Sequence, residues 1–537
     1  MSGRVVLVLL LCANVGLAQL VDLPISHQAY EFLTRMEAKG MLVEYRDAVK
    51  PLSRKVVAGH LLLLSDHKKL LTSYERAELD HLTGEFAQEI ALLQPGKTKL
   101  PADRWRPLSV PVKGGVMNVG ILAGFQTRLS EGKDASNRQA GFQIYGHLFE
   151  KLGFYFNFMS QRETGPLVEL SKIHTSTQGV AFFNTPGNVG GYEYSTTEAA
   201  LSYDLGDISF AIEKTNNAWG EDRYGNVILS SKSPSFPKLS LRVAITNWMD
   251  FTYIHANLHS LVVDSSRSYV DKVLNGEPVF RTVYRKKFFA SHVLQISPWD
   301  WMDLAIGESI IYSDRDPELM YILPIMFFKS GEHYNRDTDN THFFGALDVR
   351  PYQGISLYTS LFIDELAAGD IFDSEKNRNW LAFSVGARVY DLPLENLEVF
   401  AEYTRSNPWV YLHKYTTTTY TNNGFELGHW IGQNADLLSA EIRYRPTRSS
   451  LVSVLYQRYR KGDTLNTWHQ YNPPTEQFLF GRNRTESSLT VTGSYEFLRD
   501  AYAEIQYRTG TLRDDQLPWT SFEGKHEFVL RVRYGVW

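Results

Sequence analysis

Residues 437–444 read LLSAEIRY, and the fold is read from their alternation. Leu438, Ala440, Ile442 and Tyr444 fall on one face while Ser439, Glu441 and Arg443 fall on the other, the period of two that an extended strand gives its side chains. The apolar face suits lipid and the charged face a watery lumen. The same pattern recurs at 381–389, at 397–403 and at 501–507, where Ala501, Ala503, Ile505 and Tyr507 oppose Tyr502, Glu504 and Gln506. Soluble antiparallel sheets alternate as well, so the connections must separate the two cases. Breaks at 351–354 (PYQG), 391–396 (DLPLEN), 445–449 (RPTRS) and 496–500 (EFLRD) are short and rich in turn formers. Those between them, at 365–379, 405–436, 461–485 and 510–524, are long, polar and aromatic. A chain that sorts its loops by length onto two rims is built as a transmembrane barrel, and we expect an all-β barrel of about 18 antiparallel strands.

The beginning of the chain agrees. Residues 1–18 carry one basic residue, Arg4, then an apolar run from Val5 to Leu11, with Gly16 and Ala18 ahead of Gln19. This reads as a cleavable secretory signal. The only cysteine, Cys12, lies inside it, so the mature chain has no disulfide, cysteine metal site or cysteine nucleophile. No later stretch approaches the ~18 consecutive apolar residues of a membrane helix, and an exported chain that alternates this much is integral only as a barrel. Aromatics at 13 % suit girdles at two membrane interfaces. A net charge of -5 gives no support to nucleic-acid binding, which calls for a basic stripe.

Residues 19–104 have a different texture, a small α-helical bundle ahead of a barrel over 105–537. Ser26 is the expected cap of a first helix that Gly40 stops, and Pro51 and Ser53 open a second through Leu64. Thr72 with Glu75 makes a capping box for a third, in which Leu79, Leu82, Phe86 and Ile90 keep helical spacing up to Pro95. So small a bundle is marginal alone and should dock on the barrel. Its histidines, His27, His60, His67 and His81, lack paired ligand spacing and read as packing or surface residues.

Strands laid back from Trp537 begin near Gly115 and include 140–149, 153–160, 239–246, 251–262, 288–296 and 302–311, with both ends on the periplasmic rim. Trp537 stands one position out of phase with Phe528, Leu530, Val532, Tyr534 and Val536, which implies a bend or a bulge. Residues 319–328 (LMYILPIMFF) break the rhythm. Pro324 is poor inside a paired strand, so we read the segment as part of a loop over 313–340 that folds inward over the lumen, with a lipid-facing strand as the competing reading.

Catalytic spacing is not found: there is no H-E-x-x-H, no G-x-S-x-G and no phosphate-binding glycine loop. Asp314 with Asp316 and Asp337 with Asp339 could offer hard oxygen ligands to calcium, although Asx turns explain them more simply. Strand residues expected to face the lumen, Glu213, Arg242, Arg388, Glu402, Glu441, Arg443 and Glu504, carry both signs and read as internally paired. The loop over 405–436 places Trp409, Tyr411, Tyr415, Tyr420 and Trp430 beside Asn, Thr and His. Flat aromatic faces with directional polar groups bind sugars, and aromatics at a rim also anchor a barrel in its membrane.

Several segments, in their order and spacing, resemble the Wzi family of capsule-assembly outer-membrane proteins. They are LPISHQAYEFLTRMEAKG with the following KPLSR, WGEDRYGNVILSS at 219–231, DNTHFFGALDVRPYQGISLYTSLFIDEL at 339–366, and EYTRSNPWVYLH with LGHWIGQNAD at 402–413 and 427–436. The resemblance implies an eighteen-stranded barrel with a periplasmic helical bundle and a lumen closed by loops, acting as a surface lectin that helps attach capsular polysaccharide. Trp219, Arg223, Tyr224 and Gly225 enter as matches to its motif. The expected ligand-binding set is therefore Trp219, Arg223, Tyr224, Trp409, Tyr411 and Trp430. The expected partners are a capsular or other surface polysaccharide, outer-membrane lipid and periplasmic export components, for a monomer without cofactor or metal. A porin or selective sugar channel is the alternative that the charged lumen suggests, and a barrel hydrolase stands third.

Overall fold

The computed structural model describes residues 21–94, 103–185, 191–365, 379–463 and 476–535. Eighteen antiparallel strands follow in chain order from Gly115–Ser130 to Phe522–Tyr534, and these two pair to close the barrel. Closure leaves no strand edge in hydrocarbon, where unpaired backbone groups are costly. In strand Ala435–Thr447 the outward Leu438 and Ile442 are 42 % and 53 % exposed, whereas Ser439 and Glu441 are buried in the lumen.

One rim carries tight turns, among them 353–354, 448–449 and 499–500, and both barrel ends. Gly354 takes φ +83° in its turn, a conformation that glycine adopts without strain. The opposite rim carries 165–191, 216–235, 264–283, 314–339 and 407–434. Two connections on that rim are shorter than the rule: the turn at 131–132, and 515–521, where a loop over 510–524 was expected. Pairing continues past the apolar alternation there, with Arg484 opposite Asp514 and bonded to it at 2.8 Å. The signal at 1–18, most of the expected loop over 365–379 and the phase of Trp537 lie outside the described residues.

Helices α1 (Ala29–Ala38), α2 (Arg54–Asp66), α3 (Ser73–Glu85) and α4 (Ala87–Leu93) sit at the short-turn end. Ser53 caps α2, and Thr72 and Glu75 form their capping box on α3. Ser26 does not cap α1. The helix starts after Gln28, and the Ala29 N–H donates instead to His27 Nδ1 at 3.1 Å. The expected third helix is two helices, because Phe86 leaves helical geometry (φ -100°, ψ 19°) and is fully buried beside His27 with the Arg54 guanidinium over its ring. Packing overrides spacing at that residue. The bundle has its own apolar core and is bolted to the rim by ion pairs. Arg35, fully buried, reaches Glu75, Asp391 and Glu398 at 2.9, 2.6 and 2.9 Å.

Residues 319–328 overturn an expectation. They form no strand, and they do not fold into the lumen. In strand Tyr284–Trp299, Lys287 donates to Thr419 O and Thr421 O at 2.7 Å and Phe289 packs on Tyr420, both in the loop that fills the lumen. Alternation then sends Phe288, Ala290 and His292 outward. Those outward residues are what the segment covers, through Tyr321 and Phe328, both fully buried against Phe288, Ala290, Ile310 and Tyr312. The Phe328 N–H donates to the outward Glu308 at 2.7 Å. The other face of the segment, with Leu319, Leu323 and Phe327, is exposed, and Ile325 is 81 % exposed. The segment is a strap on the outer wall: apolar toward lipid, it shields Glu308 and His292 from hydrocarbon. Its strong apolarity comes from having barrel on one side and membrane on the other.

Candidate functional site

Two long loops enter the lumen and pack there. Within 216–235, the pair Ala218–Trp219 forms a two-residue ladder with Val49–Lys50, so the loop reaches from the far rim to the N-terminal segment. Glu402 receives the backbone N–H groups of Arg223 (2.7 Å) and Tyr224 (3.3 Å). Glu441 receives the Arg223 guanidinium at 3.2 Å and the Tyr224 hydroxyl at 3.0 Å. The loop 407–434 closes over this turn: Tyr411 OH donates to Val227 O (2.7 Å), Tyr420 OH to Ile228 O (2.9 Å) and Trp430 Nε1 to Tyr224 O (2.8 Å). Gly225, at φ +140°, leaves the room that His429 takes, since a Cβ would come within 2.6 Å of its Nε2.

The six residues expected to bind ligand divide by burial. Trp219, Trp409 and Tyr411 are buried in the apolar core that the loops make with Ile254, Phe289, Phe344 and Phe362 of the wall. Arg223, stacked 3.9 Å over Phe400, is held by Glu441. Tyr224 and Trp430 keep partial exposure and pack beside Tyr459. The charged strand residues face inward with partners: Glu213 with Lys238, Arg242 with Asp22, Arg388 with Asp348, and Glu504 with Arg531. Glu402 and Glu441 hold the 216–235 loop as above, and Arg443 meets Glu31 at 2.9 Å.

Sequence reasoning missed a second texture in the lumen. From Ser450–Lys461 round through Phe522–Tyr534 to Ile208–Thr215 the inward residues are mostly amides, hydroxyls and paired charges, with Met159 and Leu451 as apolar members at the cavities. Asn137 and Gln139 donate to Gln161 Oε1 at 3.2 and 2.9 Å, and Tyr194 OH donates to Glu163 at 2.5 Å. Next to this ladder lies a cavity of about 200 Å³, lined by Tyr155, Asn157, Gln161, Glu198 and Asn216 and by the N-terminal segment at 22–26. Amides and a phenol around a partly open space suit a hydroxyl-rich ligand. The signal was available in the sequence as inward Asn and Gln on strands whose outward positions are apolar.

Among the described residues, His81, Glu496 and Asp500 lie close enough to share a metal ion. Their carboxylates already face Arg448 and Arg104, and burial, then Arg499 and Arg448, draw the half-buried His81 down to about 3, so the surroundings oppose a cation. Asp314 and Asp316 pair with Arg285 and Lys286, and Asp339 is held by Arg315, so these side chains are engaged without calcium. At the bundle interface burial raises the Glu85 carboxyl, but Arg104 and Arg54 outweigh it and draw it down to about 2. Burial lowers the neighbouring His27 to about 3, leaving it neutral.

The family model of the capsule assembly protein Wzi matches residues 130–514, well over half of the chain. The chain belongs to the Wzi family. It is thus an outer-membrane barrel of capsule assembly. Among solved structures it is similar to Wzi of Escherichia coli, described as an outer-membrane protein involved in group 1 capsule assembly and a carbohydrate-binding β-barrel. That match has 11 % identity and a TM-score of 0.55 over 97 % of this chain and 100 % of the other, which establishes the shared fold. The outer-membrane protein OprD of Pseudomonas aeruginosa matches at 11 % identity and TM-score 0.43, over 79 % of this chain and 94 % of the other. None of the curated proteins matches the sequence.

Proposed function

We propose that this member of the Wzi family holds capsular polysaccharide at the cell surface as a lectin, not an enzyme. In this reading residues 1–18 are removed as a signal, the bundle over 19–104 faces the periplasm, and the barrel over 105–537 turns its long loops outward as a monomer. The observation that carries it is the division of the lumen. Loops 216–235 and 407–434 serve as filling for one half, which argues against a general porin, while the other half offers amides and hydroxyls to a sugar. The family description and the carbohydrate-binding barrel of Escherichia coli support the ligand class. Tyr224 and Trp430, partly exposed beside Tyr459, offer ring faces at the edge of the polar half. Trp219, Arg223, Trp409 and Tyr411 act by holding the loops that present them.

Two measurements test this reading. Titration of the purified protein with capsular polysaccharide should show binding that Gln161→Ala with Tyr194→Phe weakens several-fold, and a deletion strain should retain less surface glycan. Full retention together with no binding by the pure protein sinks the proposal. The polar half, which keeps cavities between its wall and the N-terminal segment, also favours a second reading, a sugar-selective channel, which steady conductance blocked by added oligosaccharide would bring forward.

A further inference from the structure

At the long-loop rim, between wall strands Met249–Val263 and Tyr284–Trp299, the chain forms a separate two-stranded ribbon, Tyr269–Leu274 paired with Glu277–Arg281. Its sequence commits to this shape: Asn275 and Gly276 take φ +52° and +88°, the left-handed pair that a two-residue hairpin turn needs. Pairing sorts the side chains. Val270 stands opposite Phe280 and Val273 opposite Pro278 on one face, whereas Tyr269 with Arg281, Lys272 with Val279 and Leu274 with Glu277 make the other. Asp271 is the extra residue of a bulge and takes no place in the ladder. One face is therefore wholly apolar and the other mixed. Every residue of both strands except Val279 is exposed, and Phe280 is 68 % exposed. Two strands standing alone are marginal in water, and an apolar face on them needs cover.

Two observations say what covers it. Alternation along 280–288, with no turn or bend between, puts Phe280 on the same side as Tyr284 and Phe288, the outer side of the wall, so the apolar face continues the surface that meets lipid and the strap. The exposed side of the strap, with Leu323, Ile325 and Phe327, belongs to the same sector, since the strap packs on Tyr253 and Phe288 of the two strands that carry the ribbon. The face also has only four side chains, far short of the ~800 Å² per partner that a stable protein interface buries. A barrel already held in its membrane needs no such area to seat an amphipathic segment on lipid. We infer that the ribbon is a lipid-docking foot: Val270, Val273, Pro278 and Phe280 seat on acyl chains at the long-loop boundary of the membrane, while Lys272, Glu277 and Arg281 stay in water. The turn at 264–268, in which the Ser268 N–H donates to Asp264 O at 3.1 Å, interrupts one strand only and supplies the bend at the base of the foot.

Depth-dependent quenching tests the foot. Val273→Cys, Lys272→Cys and Ile505→Cys, each in a full-length chain whose only cysteine is removed by Cys12→Ser, are labelled with an environment-sensitive fluorophore. The barrels are reconstituted in phosphatidylcholine vesicles with or without nitroxide-labelled acyl chains. Label at Val273 should be quenched several-fold more than label at Lys272, and nearly as much as label at Ile505, which faces lipid on the wall. Adding Phe280→Asp should release Val273 from quenching and leave Ile505 and heat-modifiable mobility unchanged, which tells an undocked ribbon from a damaged barrel. Equal quenching at Val273 and Lys272, no quenching at Val273, or quenching that survives Phe280→Asp overturns the foot. Shielding of Val273 from lipid, with cross-linking of two Val273→Cys chains at low protein density, assigns the face to a second copy and overturns it as well.

Discussion

The two halves of the lumen differ in what their inward side chains meet. From Phe236–Thr246 round to Ala435–Thr447 they meet protein, with Ile254, Phe289, Ile311, Phe344 and Phe362 packed on the inserted loops. From Ser450–Lys461 round to Ile208–Thr215 they meet one another, single side chains of the 165–191 loop and the bundle (Lys172 on Glu163, His174 on Tyr459, Gln88 on Asn118) and two cavities, through Gln139, Gln161, Glu504 and Arg531. The outer belts hardly differ, since Ile306 behind the packed half and Ile505 behind the polar half are both exposed to lipid. One barrel is thereby sealed on one side by folding and kept as a hydrophilic groove on the other. Lipid fixes the outside, and the loops decide the inside.

The contrast breaks if substitutions in the two halves cost the same. Phe362→Ala, fully buried at the loop core, should lower unfolding stability by about 3–5 kcal/mol. Gln139→Ala, in the polar half, should stay within about 0.5 kcal/mol, both read from urea titration of heat-modifiable mobility. The contrast between wall faces is next in size. Ile442→Arg should cost roughly 2–4 kcal/mol as a lipid-facing charge, and Glu441→Gln about 1 kcal/mol through its weakened bonds to Arg223 and Tyr224. Equal costs would mean the strand is turned the other way.

The smallest expected effect is an acid release of the bundle. His27, lowered by burial to about 3 from 6.5, must take up a proton on undocking, so docking weakens as pH falls below about 6.5. Glu85, held down near 2 despite its burial by Arg104 and Arg54, contributes stability that is full above about pH 4.5 and lost as pH falls toward 2. Protease cleavage within 21–94 should rise through that range, while His27→Gln should flatten the upper part of the profile. A cleavage rate constant from pH 7 to pH 3 would contradict the linkage.

Legibility in the sequence followed the environment of each strand. At 437–444 and 501–507 the inner face is polar, so alternation revealed both strand and register. At 288–296 (FFASHVLQI) apolar residues serve lipid or the strap on one side and the loop core on the other, and the alternation fades. The strap at 319–328 lies in a loop, as Pro324 implies, but on the outer side of the wall, which the sequence does not show because its burial against Phe288 and Tyr312 depends on residues remote in the chain. At the candidate site, aromatic richness pointed to the right loops but did not separate Trp409 and Tyr411, which became core, from Trp430, which stays partly exposed.

Single-molecule conductance in planar bilayers tests most directly whether a packed half, a polar half and a docked bundle together close the barrel. The intact protein should be nearly silent. Removal of 21–94 should produce discrete openings through the polar half that capsular polysaccharide blocks, whereas removal of the outer-wall strap at 319–328 should leave the silence unchanged. Steady porin-like conductance from the intact barrel, unaffected by loss of the bundle, would contradict the account.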